Sequence, residues 1–144
     1  MKHLVDTNVW LALTLSGHAN HSRALEWLSA VEEPDSLLVC RSTQQSLLRL
    51  LSTAAVFQSY ASRPLTNVEA QVALAQISAD PRVSFSTEPP GVEAHWMRFA
   101  ARSTSSPKVW MDAYLAAFAV AASARLVTTD TDFLTYEGLD VVVV

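Results

Sequence analysis

The strongest constraint on this chain is a set of short apolar stretches, each too brief for a buried helix, separated by segments of helical periodicity. Residues 3–5 ("HLV"), 36–40 ("SLLVC"), 125–129 ("RLVTT") and 140–144 ("DVVVV") read as strands, and 82–86 ("RVSFS") is a further candidate. Between them, Asn8–Ser16 reads as a mostly buried helix. Ala24, Leu25, Trp27, Leu28 and Val31 follow at helical spacing, with Pro34 just beyond. A helix is predicted over 41–57, where Ser42 and Gln45 match a capping box, and another from Thr66 to Ser78, where Thr66 and Glu69 repeat that signature. Residues 92–102 place Val92, Trp96, Phe99 and Ala100 on one side. Residues 112–124 are apolar nearly all round, which predicts a helix deep in the core.

Strands alternating with helices predict an α/β fold on a parallel sheet, since parallel strands need crossovers and are buried on both faces. All strand-to-helix turns then open at one edge of the sheet, where open α/β sheets bind ligands. At 144 residues the chain is read as one domain, 1–144, large enough to fold without disulfide or structural metal. Cys40 is the only cysteine, so no intramolecular disulfide is available. The first residues lack a signal-peptide layout, and the longest apolar run is too short to span a bilayer. The expectation is a cytoplasmic protein with no membrane partner. A net charge of −4 argues against a strong non-specific grip on nucleic acid, though not against an enzyme whose carboxylates hold a cation.

Four aspartates fall at the ligand-binding edge. Asp6 follows the first strand, Asp130 follows "RLVTT", Asp132 lies two residues further, and Asp112 stands at the start of the alanine-rich helix. Each alone is explained as a helix cap or turn residue. Together, three acids drawn from distant segments into one region would repel one another and raise at least one pKa. A divalent cation such as Mg²⁺ or Mn²⁺ removes that cost and can activate water against a phosphate.

"LVDTNVWLAL", "MDAYLAAFA" and "LVTTDTDF", in this order and at these intervals, resemble the PIN-domain family, and specifically its VapC-like toxins. The resemblance spans the whole chain. It implies a three-layer α/β/α sandwich with a central, mainly parallel sheet of four to five short strands. It also implies a Mg²⁺- or Mn²⁺-dependent endoribonuclease that cleaves single-stranded or loop RNA and leaves a 5′-phosphate. Such proteins usually dimerise and are held inactive by a small cognate VapB-like antitoxin. On this resemblance Asp6, Asp112 and Asp130 form the metal site, Asn8 orients Asp6, and Thr128 or Thr129 supports Asp130.

One departure from the family pattern concerns the helix after the second strand. A Thr-Glu pair often opens it, a few residues before an Arg; here the residues are Thr43-Gln44, with Arg49 downstream. Gln44 can hold a metal-bound water but takes no proton, and Asp132 could restore the missing charge. The alternative function is therefore a catalytically weakened PIN module that binds RNA or protein. A receiver-type phosphotransfer domain also gathers acids at a sheet edge. It wants paired acids after the first strand, where this chain has Asp6-Thr7-Asn8.

Arg49 interrupts an apolar helix stripe and is open to two roles, pairing with a site acid or meeting RNA phosphate. Arg41 and Lys108 are candidates for phosphate contact. His18 and His21 are close enough in sequence to share a metal, but no third ligand is evident, so a solvated helix start is the expectation. Of the four tryptophans, Trp110 is the one that could act on substrate; the others read as core.

Overall fold

The computed structural model describes residues 1–60 and 62–144. Its strands are β1 (His3–Val5), β2 (Leu37–Val39), β3 (Val83–Phe85), β4 (Arg125–Thr128) and β5 (Val141–Val143), each inside a stretch read as a strand from the sequence. They form one sheet in the order β3-β2-β1-β4-β5, and all four pairings are parallel. The helices are α1 (Thr7–Thr14), α2 (His21–Ser29), α3 (Arg41–Leu51), α4 (Ala54–Phe57), α5 (Asn67–Ser78), α6 (Val92–Ala100) and α7 (Val109–Ala121).

Alternation along the strands divides the interior into two layers. Leu4, Leu38 and Leu126 point to one face and pack with Phe99 of α6 and the Ala113–Ala119 stretch of α7. Val5, Leu37 and Val127 point to the other and pack with Val9, Trp10, Leu47, Leu51 and Ala70 from α1, α3 and α5. Helices on both faces of a parallel sheet make the three-layer sandwich. In α7, the buried alanines present almost no side-chain bulk, which suits a helix enclosed nearly all round.

The capping box at Thr66 forms as read. The Glu69 N–H donates to Thr66 Oγ1 at 3.2 Å and the Thr66 N–H to Glu69 Oε2 at 2.9 Å. The Ser42–Gln45 box does not form. The cap falls at Cys40, two residues before Ser42, because the Thr43 hydroxyl accepts the Cys40 N–H at 3.1 Å and locks the turn there, so the helix runs from Arg41 as expected. The helix expected over 41–57 also breaks at Ser52 and Thr53. Their hydroxyls donate back to the Leu48 and Arg49 carbonyls, each at 2.6 Å, and so compete with the backbone ladder. The alanine-rich helix begins at Val109, which puts Asp112 inside its first turn. At the start of α6, Gly91 adopts φ +89°, a left-handed conformation that suits glycine.

Candidate active site

The strand order sets where a site can form. From β1 the chain steps outward through β2 to β3. It then returns to β4 on the other side of β1 and continues to β5. The direction of winding therefore reverses between β1 and β4, and the loops leaving these two strands diverge to open a crevice at the carboxyl edge. The register is Leu4 opposite Leu126 and Val5 opposite Val127, so Asp6 emerges beside Thr128.

Asp6 is 7% exposed. Its backbone starts α1, with the Val9 and Trp10 N–H groups donating to its carbonyl, but its carboxylate makes no capping bond. Capping therefore does not account for its charge. The carboxylate instead accepts the Thr128 hydroxyl at 2.7 Å, and the same Thr128 oxygen accepts the Asp130 N–H at 3.1 Å. One buried threonine thus ties the two strand ends together. The support expected of Asn8 comes from Thr128: Asn8 is exposed and lines the cavity, but has no side-chain hydrogen bond among the described residues.

Asp6 and Asp112 face one cavity of about 170 Å³, whose other walls include Asn8, Ser42, Ser46 and Arg49. Burial pushes the Asp6 carboxyl above the ordinary carboxylate range. The Thr128 hydroxyl and the Thr7 N–H oppose this, and the charges of Asp112 and Asp130 push it further up. Burial likewise raises Asp112, with Asp130 and Asp132 adding to the rise. The acids from separate segments are therefore near enough to repel one another. They are not equivalent, however. Asp130 is not among the cavity walls, and its Oδ1 accepts the Asp132 N–H at 2.8 Å, capping the 3₁₀ turn Thr131–Thr135. Asp132 is exposed. Among the described residues no three His, Cys, Asp or Glu side chains are gathered as a ready cage for a metal ion. Two carboxylates on a hydroxyl-lined cavity still fit Mg²⁺, which commonly takes one or two carboxylates and keeps several waters.

Arg49 lines the same cavity yet forms no ion pair; the ion pairs among the described residues are Met1–Glu33, Arg63–Glu69, Arg82–Asp80 and Arg125–Asp140. Ser42, Ser46 and Arg49 were not read together from the sequence. Their spacing (i, i+4, i+7) is the signal that would have found them, a polar stripe on a leucine-rich helix. Gln44 does not join them. Its side-chain carbonyl accepts Arg41 Nη1 at 2.7 Å, and Arg41 itself lies 4.8 Å from the centre of the Phe85 ring. Trp110 turns toward α6 and meets Trp96 edge-to-face, while its neighbour Met111 lines the acidic cavity. His18 and His21 are engaged with backbone: His18 Nδ1 accepts the Asn20 N–H, and His21 Nδ1 lies 2.7 Å from the Ala12 carbonyl.

Comparison with known proteins bears on the family and the fold. The family model described as "PIN domain" matches residues 3–139. A relative named Ribonuclease VapC41, from Mycobacterium tuberculosis, is 51% identical over 138 residues, covering 95% of this chain and 94% of that protein. Among solved structures, Mycobacterium tuberculosis VapC20, described as a sarcin-ricin loop cleaving toxin, superposes with a TM-score of 0.66 at 19% identity. That match covers 94% of this chain and 95% of the other. VapBC-1 from nontypeable Haemophilus influenzae does so with a TM-score of 0.66 at 16% identity, over 99% and 98% of the two chains. At these identities the structural likenesses speak for the fold.

Proposed function

The chain belongs to the PIN-domain family, and from that premise we propose that it is a metal-dependent endoribonuclease, the toxin of a VapBC-type toxin–antitoxin pair. The observation that carries the reading is the pair Asp6 and Asp112. These are two acids from distant segments of the chain on one cavity, both raised by burial, with Asp112 pushing Asp6 further up and no cationic side chain paired to either among the described residues. The 51% identity to a protein named as a ribonuclease supports it.

Asp6 and Asp112 would hold Mg²⁺ or Mn²⁺, with Asp130 adding negative charge from beside the cavity. Bound there, the cation would supply Lewis acidity for hydrolysis and offset charge that builds on the phosphate. Thr128 fixes the Asp6 carboxylate through its donated hydrogen bond, so the ligand atom is held before any cation arrives. Arg49, at the cavity wall, meets the phosphodiester oxygens of the substrate. Water attacks the phosphorus as the P–O3′ bond breaks; the water's OH stays on phosphorus and a proton goes to the departing 3′-oxygen, giving a 3′-hydroxyl and a 5′-phosphate. A small VapB-like antitoxin and a second copy of the chain are the proposed protein partners.

The test is cleavage of single-stranded RNA by the purified protein with Mn²⁺ or Mg²⁺, against EDTA and against Asp6→Asn. Cleavage that needs the metal and is lost in the variant supports the reading. RNA binding without cleavage under either metal would leave a non-catalytic PIN module instead.

A further inference from the structure

A second cavity, of about 240 Å³, opens where the carboxyl end of α6 meets the segment after the 3₁₀ turn. Its walls include Arg98, Phe99, Arg102, Thr135, Tyr136 and Glu137. Neither arginine takes part in an ion pair among the described residues, although this is an acidic protein with carboxylates in excess. A cation at a helix carboxyl terminus is favoured by the helix dipole, which explains why arginines are tolerated there. It does not explain a concave surface with an aromatic floor. The Arg98 guanidinium lies 4.8 Å from the centre of the Phe99 ring, and Phe99 and Tyr136 have ring centres 5.2 Å apart. Stacking of this kind restrains a guanidinium before it meets an anion.

Tyr136 connects this cavity to the acidic site. It is a wall of the arginine cavity and is itself buried. Burial raises its phenol, Asp112 and Asp132 push it further up, and Arg102 draws it down. Thr135 closes, and Tyr136 follows, the 3₁₀ turn that Asp130 caps after β4, which sets the cavity at the carboxyl edge of the sheet, where Asp6 also lies. A strand whose cleaved phosphate lies against Asp6 and Asp112 and which runs toward this cavity passes Asp130 and Asp132, whose charge would repel its neighbouring phosphates. A cationic pocket on that flank is what such a strand requires, and two guanidiniums against the single carboxylate of Glu137 supply it.

We infer that the Arg98–Arg102–Tyr136 cavity binds a phosphate of the single-stranded RNA substrate, flanking the bond that is cut. This rests on the nuclease reading above. The arginines are binding residues for the strand and take no part in the chemistry.

The test measures binding and cleavage separately. Binding of a short labelled single-stranded RNA is followed in EDTA for the wild type, Arg98→Gln/Arg102→Gln, and Arg63→Gln, a control that removes a cation paired with Glu69. The double variant should bind about tenfold more weakly. The slope of log affinity against log salt should shrink by about 0.7 for each phosphate that the variant no longer neutralises. With Mn²⁺ its KM should rise on the longer RNA and stay near wild type on a dinucleotide too short to reach the cavity, with kcat preserved on both. Arg98→Lys/Arg102→Lys should recover most of the salt slope. A double variant with unchanged RNA affinity, slope and KM, in a protein that does cleave RNA, overturns the subsite and leaves the nuclease reading standing. If antitoxin inhibition alone is weakened, the cavity belongs to the protein partner and the inference fails. A wild type that neither binds nor cleaves RNA removes both readings together.

Discussion

Two aspartate-lined cavities of this molecule treat their carboxylates in opposite ways. The larger, about 300 Å³, is lined by Trp10, Leu28, Gln76, Ile77 and Asp80 on the α1–α2–α5 side. Asp80 there is fully engaged by Arg82, with Nε to Oδ1 at 3.0 Å and Nη2 to Oδ2 at 2.7 Å. Arg82 in turn donates to the Leu28 and Val31 carbonyls at 2.8 and 2.9 Å, closing the end of α2. Its charge is spent on the fold. In the smaller acidic cavity, Asp6 and Asp112 share space with Arg49 and pair with nothing cationic among the described residues. The contrast teaches that size is a poor guide here. Charge left unneutralised at a structural cost marks the place that awaits a ligand.

The largest effects should separate the two cavities by readout. Asp112→Asn should lower RNA cleavage about a thousandfold, since it removes several kcal/mol of metal-dependent stabilisation, while circular dichroism shows an unchanged fold. Arg82→Ala should do the reverse. It strands Asp80 and two carbonyls, so urea unfolding should show a loss of about 3 kcal/mol, with specific activity retained below the transition. If Arg82→Ala abolished cleavage in a folded protein, the division between structural and functional charge would be wrong.

Thr128→Val should affect both properties. It removes the donor to Asp6 and the acceptor for the Asp130 N–H, so it should cost about 2 kcal/mol in stability and lower cleavage about tenfold. The smallest effect is a pH signature. Asp6 and Asp112 have folded-state pKa values raised above the ordinary 3.8, so the folded protein holds their protons more tightly than the unfolded chain does. Their contribution to stability is therefore present at acid pH and lost as pH rises through the raised values. Other carboxylates act oppositely, Glu69 being lowered to about 2 by the Arg63 guanidinium, so the informative quantity is a difference. In EDTA, Asp112→Asn should melt above the wild type at neutral pH and converge with it in acid. Added Mn²⁺ should raise the wild-type melting temperature and leave the variant nearly unchanged.

Much of the architecture was legible because it is written locally. The strand stretches are apolar runs of the right length, and the Thr66–Glu69 box closes on itself within four residues. Where reading failed, the deciding partner was not apparent from local pattern. The third helix is capped at Cys40 and not at Ser42 because a Thr43 hydroxyl reaches the extended Cys40 backbone, and cysteine is not among the favoured cap residues. The aspartates show the same limit. From sequence all were equally plausible caps; in the structure Asp130 caps a turn, whereas the Asp6 carboxylate does not cap.

The sequence by itself determined the alternation of strand and helix, the two-sided burial of the sheet, and the presence of acids at strand ends, because periodicity and local propensity act over a few residues. Only the tertiary structure decided which of those acids face each other, that Arg49 borders them without forming an ion pair among the described residues, and that two further arginines border an aromatic cavity on the same flank. Those outcomes depend on strand order. Placing β4 beside β1 is a long-range choice made by the packing of whole layers, and charge proximity follows from it.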